Sequence, residues 1–255
     1  MEHSKEIEEA VRLIKKAKSG LAFTGAGISV DSGIPTFRGE GGLWSTVDPI
    51  YLEIEFFKKK PLQSWKVLKE LFYDKFSHAA PNISHHVLSR MGREGFIDAV
   101  ITQNIDNLHQ VAGCEKVYEL HGTYRKMVCS ACSTEYDHGH VNLDYLPPTC
   151  YICNGILKPE IVFFNEEIPE QVKSDSLRLA ENCDLLLIIG TNAEVYPANA
   201  IPLLAHKHQA VIVEVNVAES QFTRSITDIF LHGRASDIMR EVGKGLELDM
   251  NGLLN

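Results

Sequence analysis

The sequence predicts an α/β fold with a mostly parallel, buried sheet and a smaller module inserted into it. Short, almost wholly apolar runs alternate with stretches of helical periodicity along most of the chain, the pattern of strands covered on both faces. Between Thr123 and Lys158 this alternation gives way to short polar segments, a Pro147-Pro148 pair and four cysteines. A chain of 255 residues suits one large domain with an insertion, and 44% hydrophobic and 23% charged residues are ordinary for a globular protein.

The first element is a helix over Lys5–Lys18, where Ile7, Val11 and Ile14 recur at helical spacing among charges. So charged an opening reads as neither a signal peptide nor a membrane span, and a cytoplasmic enzyme is the expectation. A strand at Leu21–Thr24 then runs into Gly25-Ala26-Gly27-Ile28-Ser29. Gly25 permits a tight turn, and Gly27 lets backbone N–H groups approach a pyrophosphate. The usual dinucleotide fingerprint is incomplete: Val30 holds the third glycine position, and no strand ending in an acidic residue follows about 20 residues later. A polar loop with Pro35, Phe37 and Arg38 follows instead. Taken alone, two such glycines more often mark a simple turn than a phosphate site, and the other motifs decide.

The next helix spans Pro61–Phe76, with Trp65, Leu68, Phe72 and Phe76 on one face, and another spans Ile83–Gly92. The strand Ile97–Thr102 opens abruptly into Gln103-Asn104-Ile105-Asp106-Asn107-Leu108-His109. At a strand end, Asn104 and Asp106 can bond a carboxamide or ribose, or can cap the following helix, and both readings stand. His109 is read as packed. A further strand, Val117–Leu120, delivers His121 at the edge of the inserted module, where a histidine can serve as a general base, although lone histidines are usually structural.

Cys129-x2-Cys132 and Cys150-x2-Cys153, seventeen residues apart, have the spacing of the two knuckles of a zinc ribbon. Four thiolates complete a tetrahedral shell and leave no position for water, so Zn2+ here is structural. His138 and His140 lie in the loop as competing donors, while Cys114 and Cys183 read as buried free thiols. After the insertion come a helix at Glu170–Glu181, a strand at Leu185–Ile189 ending in Gly190-Thr191-Asn192, a helix at Ala198–Ala205, a strand at Val211–Val215 ending in Asn216, and a helix at Ala235–Gly243. Residues from Asn251 on are expected to fray. A net charge of −9, with no basic tract beyond Lys58-Lys59-Lys60, argues against general nucleic-acid binding.

Taken together and in this order, GAGIS, GIPTFRG, TQNIDNLH, ELHG, the cysteine pairs, VFFNE, GTN and VEVN resemble the sirtuin family of NAD-dependent protein deacylases, in its short prokaryotic-type catalytic core. The resemblance covers about residues 20 to 236. It implies a Rossmann-like NAD-binding domain over residues 1–122 and 159–255, with a helical insertion at about 40–80, and a zinc-ribbon domain over 123–158. It implies NAD and Zn2+ as cofactors and acylated-lysine proteins or peptides as partners, with no direct nucleic acid and no membrane. Gly25, Ala26, Gly27, Ser29, Asp31, Phe37, Arg38, Gln103, Asn104, Ile105, Asp106, His121, Gly190, Thr191, Asn192, Asn216 and Ala235 would surround NAD. Asn104, Ile105 and Asp106 would hold the nicotinamide carboxamide, Phe37 would shield the charged intermediate, and His121 would be the base. Val162, Phe163, Phe164, Asn165 and Glu166, with Val195 and Tyr196, would pair with the peptide and enclose the lysine stem.

The reaction so implied has the acyl oxygen attack the ribose anomeric carbon as nicotinamide leaves, with free lysine and O-acyl-ADP-ribose as products. Members that prefer succinyl or malonyl lysine carry a Tyr-x-x-Arg pair on the helix before a Pro-Asn-x-x-His motif, here Pro81-Asn82-Ile83-Ser84-His85. No arginine lies between Trp65 and Phe76, so acetyl or a longer apolar acyl group is favoured, with Leu68, Leu71 and Phe72 as candidate pocket walls. Three residues depart from the family pattern: Asn192 stands where serine is usual, Asn165 where glycine is usual, and Glu194 where an apolar residue is common. Protein ADP-ribosylation and a role as an NAD or ADP-ribose sensor or scaffold are the alternative functions.

Overall fold

In the computed structural model of the chain, residues 4–39 and 41–250 are described, so the fraying expected from Asn251 lies outside the described residues. The strands are β1 (Gly20–Thr24), β2 (Ala99–Thr102), β3 (Val117–Glu119), β4 (Gly122–Cys129), β5 (Glu135–Asp137), β6 (Leu157–Ile161), β7 (Leu185–Ile189), β8 (Val211–Asn216) and β9 (Ile229–His232). Six of them form one sheet in the order β3-β2-β1-β7-β8-β9, with every pairing parallel. This is the strand order of a dinucleotide-binding fold, with the topological switch between β1 and β7. The remaining three form a separate antiparallel sheet, β5-β4-β6.

Side chains along each central strand alternate between two cores, which is why the strands read as continuous apolar runs. Ala22, Leu187 and Ile189 face one core, shared with α1 (Ser4–Lys16), α4 (Ile83–Arg93) and α8 (Ala235–Gly245). Phe23, Leu186 and Ile188 face the other, covered by α6 (Glu170–Asn182) and α7 (Ala200–Lys207). The edge strand β9 is absent from the sequence reading because its apolar run, Ile229-Phe230-Leu231, is only three residues long.

A third core joins the small sheet to the helical insertion, which includes α2 (Ile54–Lys59) and α3 (Pro61–Leu68). Trp65 Nε1 donates to the Leu157 carbonyl at 2.8 Å, and the Tyr73 hydroxyl donates to the Tyr124 carbonyl at 2.8 Å, so both partners lie on strands of the small sheet. The expected helix through Phe76 is not uniform. After Leu68 it widens into a π-helical turn over Lys69–Lys75, where the ion pairs Lys69–Asp74 and Glu70–Lys75, each 2.7 Å, match the five-residue spacing of π winding. Trp65, Leu68, Phe72 and Phe76 are all buried, as the shared face predicts. Among the described residues, no helix is long and apolar enough to cross a membrane.

One buried carboxyl group anchors the loop that leaves β8. Glu214 is fully buried on that strand and accepts hydrogen bonds from Ser220 Oγ (2.6 Å), Thr223 Oγ1 (2.7 Å) and Thr227 Oγ1 (2.7 Å). Glu214→Leu leaves three hydroxyls without their acceptor. Urea denaturation is expected to show a loss of about 2–4 kcal/mol, with Ser220→Ala costing less than half as much.

Candidate active site

The site begins where the strand order reverses. Gly25, just after β1, donates its N–H to the Ile189 carbonyl at 3.0 Å, and Gly27 donates to the Gly190 carbonyl at 2.9 Å. A Cβ on Gly25 would lie 2.7 Å from Thr191 Cβ, and one on Gly27 would lie 2.6 Å from Gly190 Cα, so neither position tolerates a side chain. The following residues, Ala26–Ser32, form a 3-10 helix rather than the start of a long α-helix. A cleft of about 950 Å³ opens in front of this contact, within the range of small-molecule sites. Its floor holds Gly25, Ala26, Gly27, Gly190, Thr191 and Asn192, and its far end holds Asp31, Asn216 and Ala235.

One wall comes from the segment after β2. Asn104 lines the cleft, and its Nδ2 donates to the Gly25 carbonyl (3.2 Å) and to Ser29 Oγ (3.1 Å), leaving Oδ1 for a ligand. Ser29 Oγ donates in turn to Asp106 Oδ2 at 2.7 Å, while Asp106 Oδ1 accepts the Leu108 N–H at 3.0 Å. Ser29 and Asp106 therefore sit one layer behind the cleft lining, bracing Asn104. Asp106 is also bonded to the first turn of the short helix α5 (Leu108–Val111), so the ligand and cap readings of that motif merge in one carboxyl group. Burial raises the Asp106 pKa against the lowering effect of these hydrogen bonds. His109 is packed as expected, with Nε2 2.9 Å from Thr24 Oγ1.

His121 also lines the cleft. Its Nδ1 lies 2.8 Å from the Gln103 carbonyl, an acceptor only, so Nδ1 carries the proton and Nε2 keeps its lone pair. Burial lowers the His121 pKa, partly offset by this hydrogen bond. Gln103 Nε2 reaches Thr191 Oγ1 at 2.9 Å and ties the histidine's partner to the glycine floor.

The opposite wall is aromatic and apolar. Trp44 lies between Phe37 and Phe164, with ring centroids 5.3 and 5.8 Å away. Val162, Phe163, Phe164, Asn165 and Glu166 face the cleft together with Val195 and Tyr196. Arg38 and Ile105 line it too. The helical insertion's three candidate walls all belong to the third core, and only Phe72 also lines the cleft.

The cysteine pairs converge at the far end of the small sheet. The four Sγ atoms lie within 4.8 Å of one another, with Cys129–Cys153, Cys132–Cys150 and Cys132–Cys153 at 3.4, 3.6 and 3.3 Å. These separations are far beyond a disulfide bond and close to the edge of about 3.8 Å expected for a zinc tetrathiolate tetrahedron. The four thiols fit Zn2+. His138 is not among them, since its Nδ1 lies 3.2 Å from the Arg125 carbonyl and its ring packs near Tyr73 and Tyr124. Cys183 is buried and Cys114 half-buried, both free.

The sequence profile of the Sir2 family matches residues 25–197, from the glycine floor to the end of the apolar wall. The chain belongs to the Sir2 family. It is 38% identical over 237 residues to NAD-dependent protein deacetylase 1 of Pyrobaculum aerophilum, covering 92% of each chain. It is 39% identical to the NAD-dependent protein deacylase of Thermococcus kodakarensis, over 91% of this chain and 93% of that one. Among solved structures, a Sir2 complex with a deacetylated p53 peptide and 3'-O-acetyl ADP-ribose superposes with a TM-score of 0.90 at 32% identity, covering 95% of this chain and 99% of that one. A Sir2–p53 peptide–NAD+ complex superposes with a TM-score of 0.86 at 34% identity, covering 93% and 97%.

Within this Sir2 framework the three departures have distinct placements. Asn165 adopts a left-handed backbone (φ 69°), which asparagine tolerates better than most residues. Asn192 accepts a hydrogen bond from Asn216 Nδ2 at 3.4 Å. Glu194 lies exposed on the cleft rim. The sequence reading missed Trp44, hidden in a glycine-rich loop, and Arg234, which lines the cleft and pairs with Asp31. Arg234 follows a weak edge strand, and only its place beside Ala235 hinted at it.

Removal of the metal should act locally. A strong chelator is expected to release Zn2+ and abolish amide-exchange protection in β4 and β6, while β1, β7 and β8 stay protected. Parallel loss of protection in both sheets would contradict a structural role confined to the small sheet.

Proposed function

We propose that this Sir2 protein is an NAD-dependent protein-lysine deacylase, chiefly a deacetylase, acting on acyl-lysine proteins or peptides in the cytoplasm. The observation that carries the reading is a neutral histidine with a free Nε2, placed in one cleft between a glycine dinucleotide floor and an apolar wall. Cleavage at the nicotinamide ribose supplies an electrophilic carbon to which the acyl oxygen adds, and this chain's residues orient that encounter.

The glycines form the floor on which the pyrophosphate rests: the N–H groups of Gly25, Gly27 and Gly190 are spent on the Ile189, Gly190 and Val215 carbonyls, and the absence of side chains lets the two strand-end loops meet beneath the ligand. Asp31, Asn216 and Ala235 receive the adenosine end, and Arg38 lies on the same cleft lining. Asn104 presents its Oδ1 to the nicotinamide carboxamide, with Ile105 beside it and Asp106 and Ser29 fixing its orientation from behind. His121 takes a proton from a ribose hydroxyl at Nε2. The Gln103 carbonyl fixes the tautomer beforehand and stabilises the imidazolium as it forms. Phe37, Trp44 and Phe164 exclude water over this part of the cleft.

The peptide lies between two loops with unused backbone groups. Among the described residues, the Asn165 N–H meets no protein acceptor, whereas Val162, Phe163 and Phe164 donate to His121, Glu166 and Leu52. Asn165 and the Val195–Tyr196 loop are the places for an added strand. The lysine stem and acyl group then meet Phe163, Ile105, Leu52 and Phe72. None of these can pair with an acyl carboxylate.

Two measurements test this reading. His121→Ala should lower NAD-dependent deacylation by about 10²–10⁴-fold while ADP-ribose binding changes little. In the wild type, kcat/KM should fall as pH drops through a pKa below the usual histidine value of about 6.5, because the base works unprotonated and burial lowers that pKa. An acid limb centred above that value would remove His121 from the role. Across a panel of acyl peptides, acetyl and butyryl should be turned over at least about tenfold faster than succinyl, because Phe163, Ile105, Leu52 and Phe72 offer no cation to its carboxylate. Mass analysis of the peptide distinguishes loss of the acyl group from gain of ADP-ribose.

A further inference from the structure

Lys158 lies on β6, the strand that pairs Leu157 with the zinc-site residue Cys129, and its side chain is only 17% exposed. The ammonium does not turn to solvent. Lys158 Nζ lies 2.8 Å from Glu166 Oε2, donates to the Ile161 carbonyl at 2.7 Å, and sits 4.3 Å from the centroid of the Phe163 ring. Glu166 Oε2 also accepts the Phe163 N–H at 2.8 Å, and the Glu166 N–H returns to the Phe163 carbonyl at 3.0 Å. Phe163 to Glu166 is thus a tight turn closed on itself, with a left-handed residue, Asn165, at its tip.

A half-buried lysine costs desolvation and side-chain entropy, and its surroundings must compensate both. Here every contact of Lys158 converges on the turn or on the strand leading into it. The turn supplies one rim of the cleft, whereas the glycine floor is held by other elements and the His121 ring by the Gln103 carbonyl.

We propose that Lys158 is a positioning residue for the acyl-lysine substrate: it locks the Phe163–Glu166 turn to the zinc-stapled strand and so sets peptide affinity without touching the peptide. Zinc fixes Cys129, the β4–β6 register fixes Leu157, and the adjacent Lys158 passes that constraint to the turn. This rests on the reading of the turn as a peptide wall. It predicts that the zinc module acts on peptide binding and not on NAD binding.

The test compares Lys158→Met, Lys158→Arg and Glu166→Gln in the full chain. Lys158→Met should raise KM for an acetyl-lysine peptide about tenfold, the loss expected of one charge-assisted contact, with kcat changed less than about threefold. ADP-ribose affinity and zinc content should stay at wild-type levels, and Lys158→Arg should recover most of the peptide KM. An unchanged peptide KM in the Met variant overturns the proposal, and so does a parallel loss of ADP-ribose affinity or an Arg variant no better than Met. If Lys158→Met fails to fold, Lys158→Gln, which keeps a polar head but removes the charge, carries the same expectation and the same refutation, and Glu166→Gln serves only to report amide exchange at Phe163. Absence of acyl-peptide turnover in the wild type would count against the deacylase reading instead. Amide exchange at Phe163 then decides the latch separately: faster exchange in the variants supports it, and unaltered exchange overturns it.

Discussion

The contact on which the rest of the site depends is the approach of two strand-end loops at the switch between β1 and β7. Gly25 and Gly27 lie against Gly190 and Thr191 at distances that exclude any Cβ, and their N–H groups bond to the β7 strand end and its loop. A parallel sheet with crossovers on both faces necessarily leaves a crevice where the strand order reverses. Closing the floor of that crevice with backbone alone keeps it polar and narrow enough for a pyrophosphate. It also fixes where every other group must stand. Gln103 reaches Thr191, Asn104 reaches the Gly25 carbonyl, and Asn216 Nδ2 reaches the Thr191 carbonyl at 3.1 Å.

A second layer of polar groups lies under this surface and converts position into chemistry. Ser29 and Asp106 lie behind the cleft lining, yet they decide which atom of Asn104 faces the cleft. The Gln103 carbonyl does the same for His121 by deciding which nitrogen carries the proton. A buried histidine whose pKa is lowered is neutral at physiological pH, which suits a base. The same burial would penalise the cation formed on proton transfer, were the carbonyl not placed to receive it. The aromatic contacts of Phe37, Trp44 and Phe164 complete the arrangement from the opposite side, where water has to be kept out.

Much of this was legible in the sequence because the signals were local. The apolar runs became the central strands, since parallel strands buried on both faces need no alternation. The four cysteines converged because zinc ligation fixes both type and spacing. The lining of the cleft by Gly25, Gly27, Asn104, His121 and Gly190 followed from motifs at strand ends. Illegible features share a dependence on distant partners. Phe72 lines the cleft while Leu68 and Leu71 do not, a distinction an apolar stripe cannot make, and the π-helical turn over Lys69–Lys75 is signalled only by ion pairs five residues apart. Glu166 reads as a peptide contact, yet its carboxylate is committed to Lys158 and to the Phe163 N–H. Trp44, Arg234 and β9 lie where short-range periodicity is weak.

The inserted module raises the question of why a structural zinc should sit in a chain whose catalytic groups stand on the parallel sheet. The small sheet is too short to build a core of its own, and its apolar side chains join those of the helical insertion in one shared cluster. Without the metal, nothing covalent or coordinate would hold β4 and β6 in register at their far ends, and a bulge already interrupts that register between Gly122 and Met127. Their near ends lie at the active site: Gly122 follows His121 directly, and Ile161 leads into Val162, whose N–H bonds the His121 carbonyl at 2.8 Å. The metal site therefore lies at one end of two strands whose other ends adjoin His121 and the Phe163–Glu166 turn. A Cβ on Gly122 would lie 1.9 Å from the Glu160 carbonyl oxygen, so the two strands meet there as closely as backbone allows. His121 is thus held from both sides, its ring by the Gln103 carbonyl beyond β2 and its own carbonyl by the Val162 N–H beyond β6.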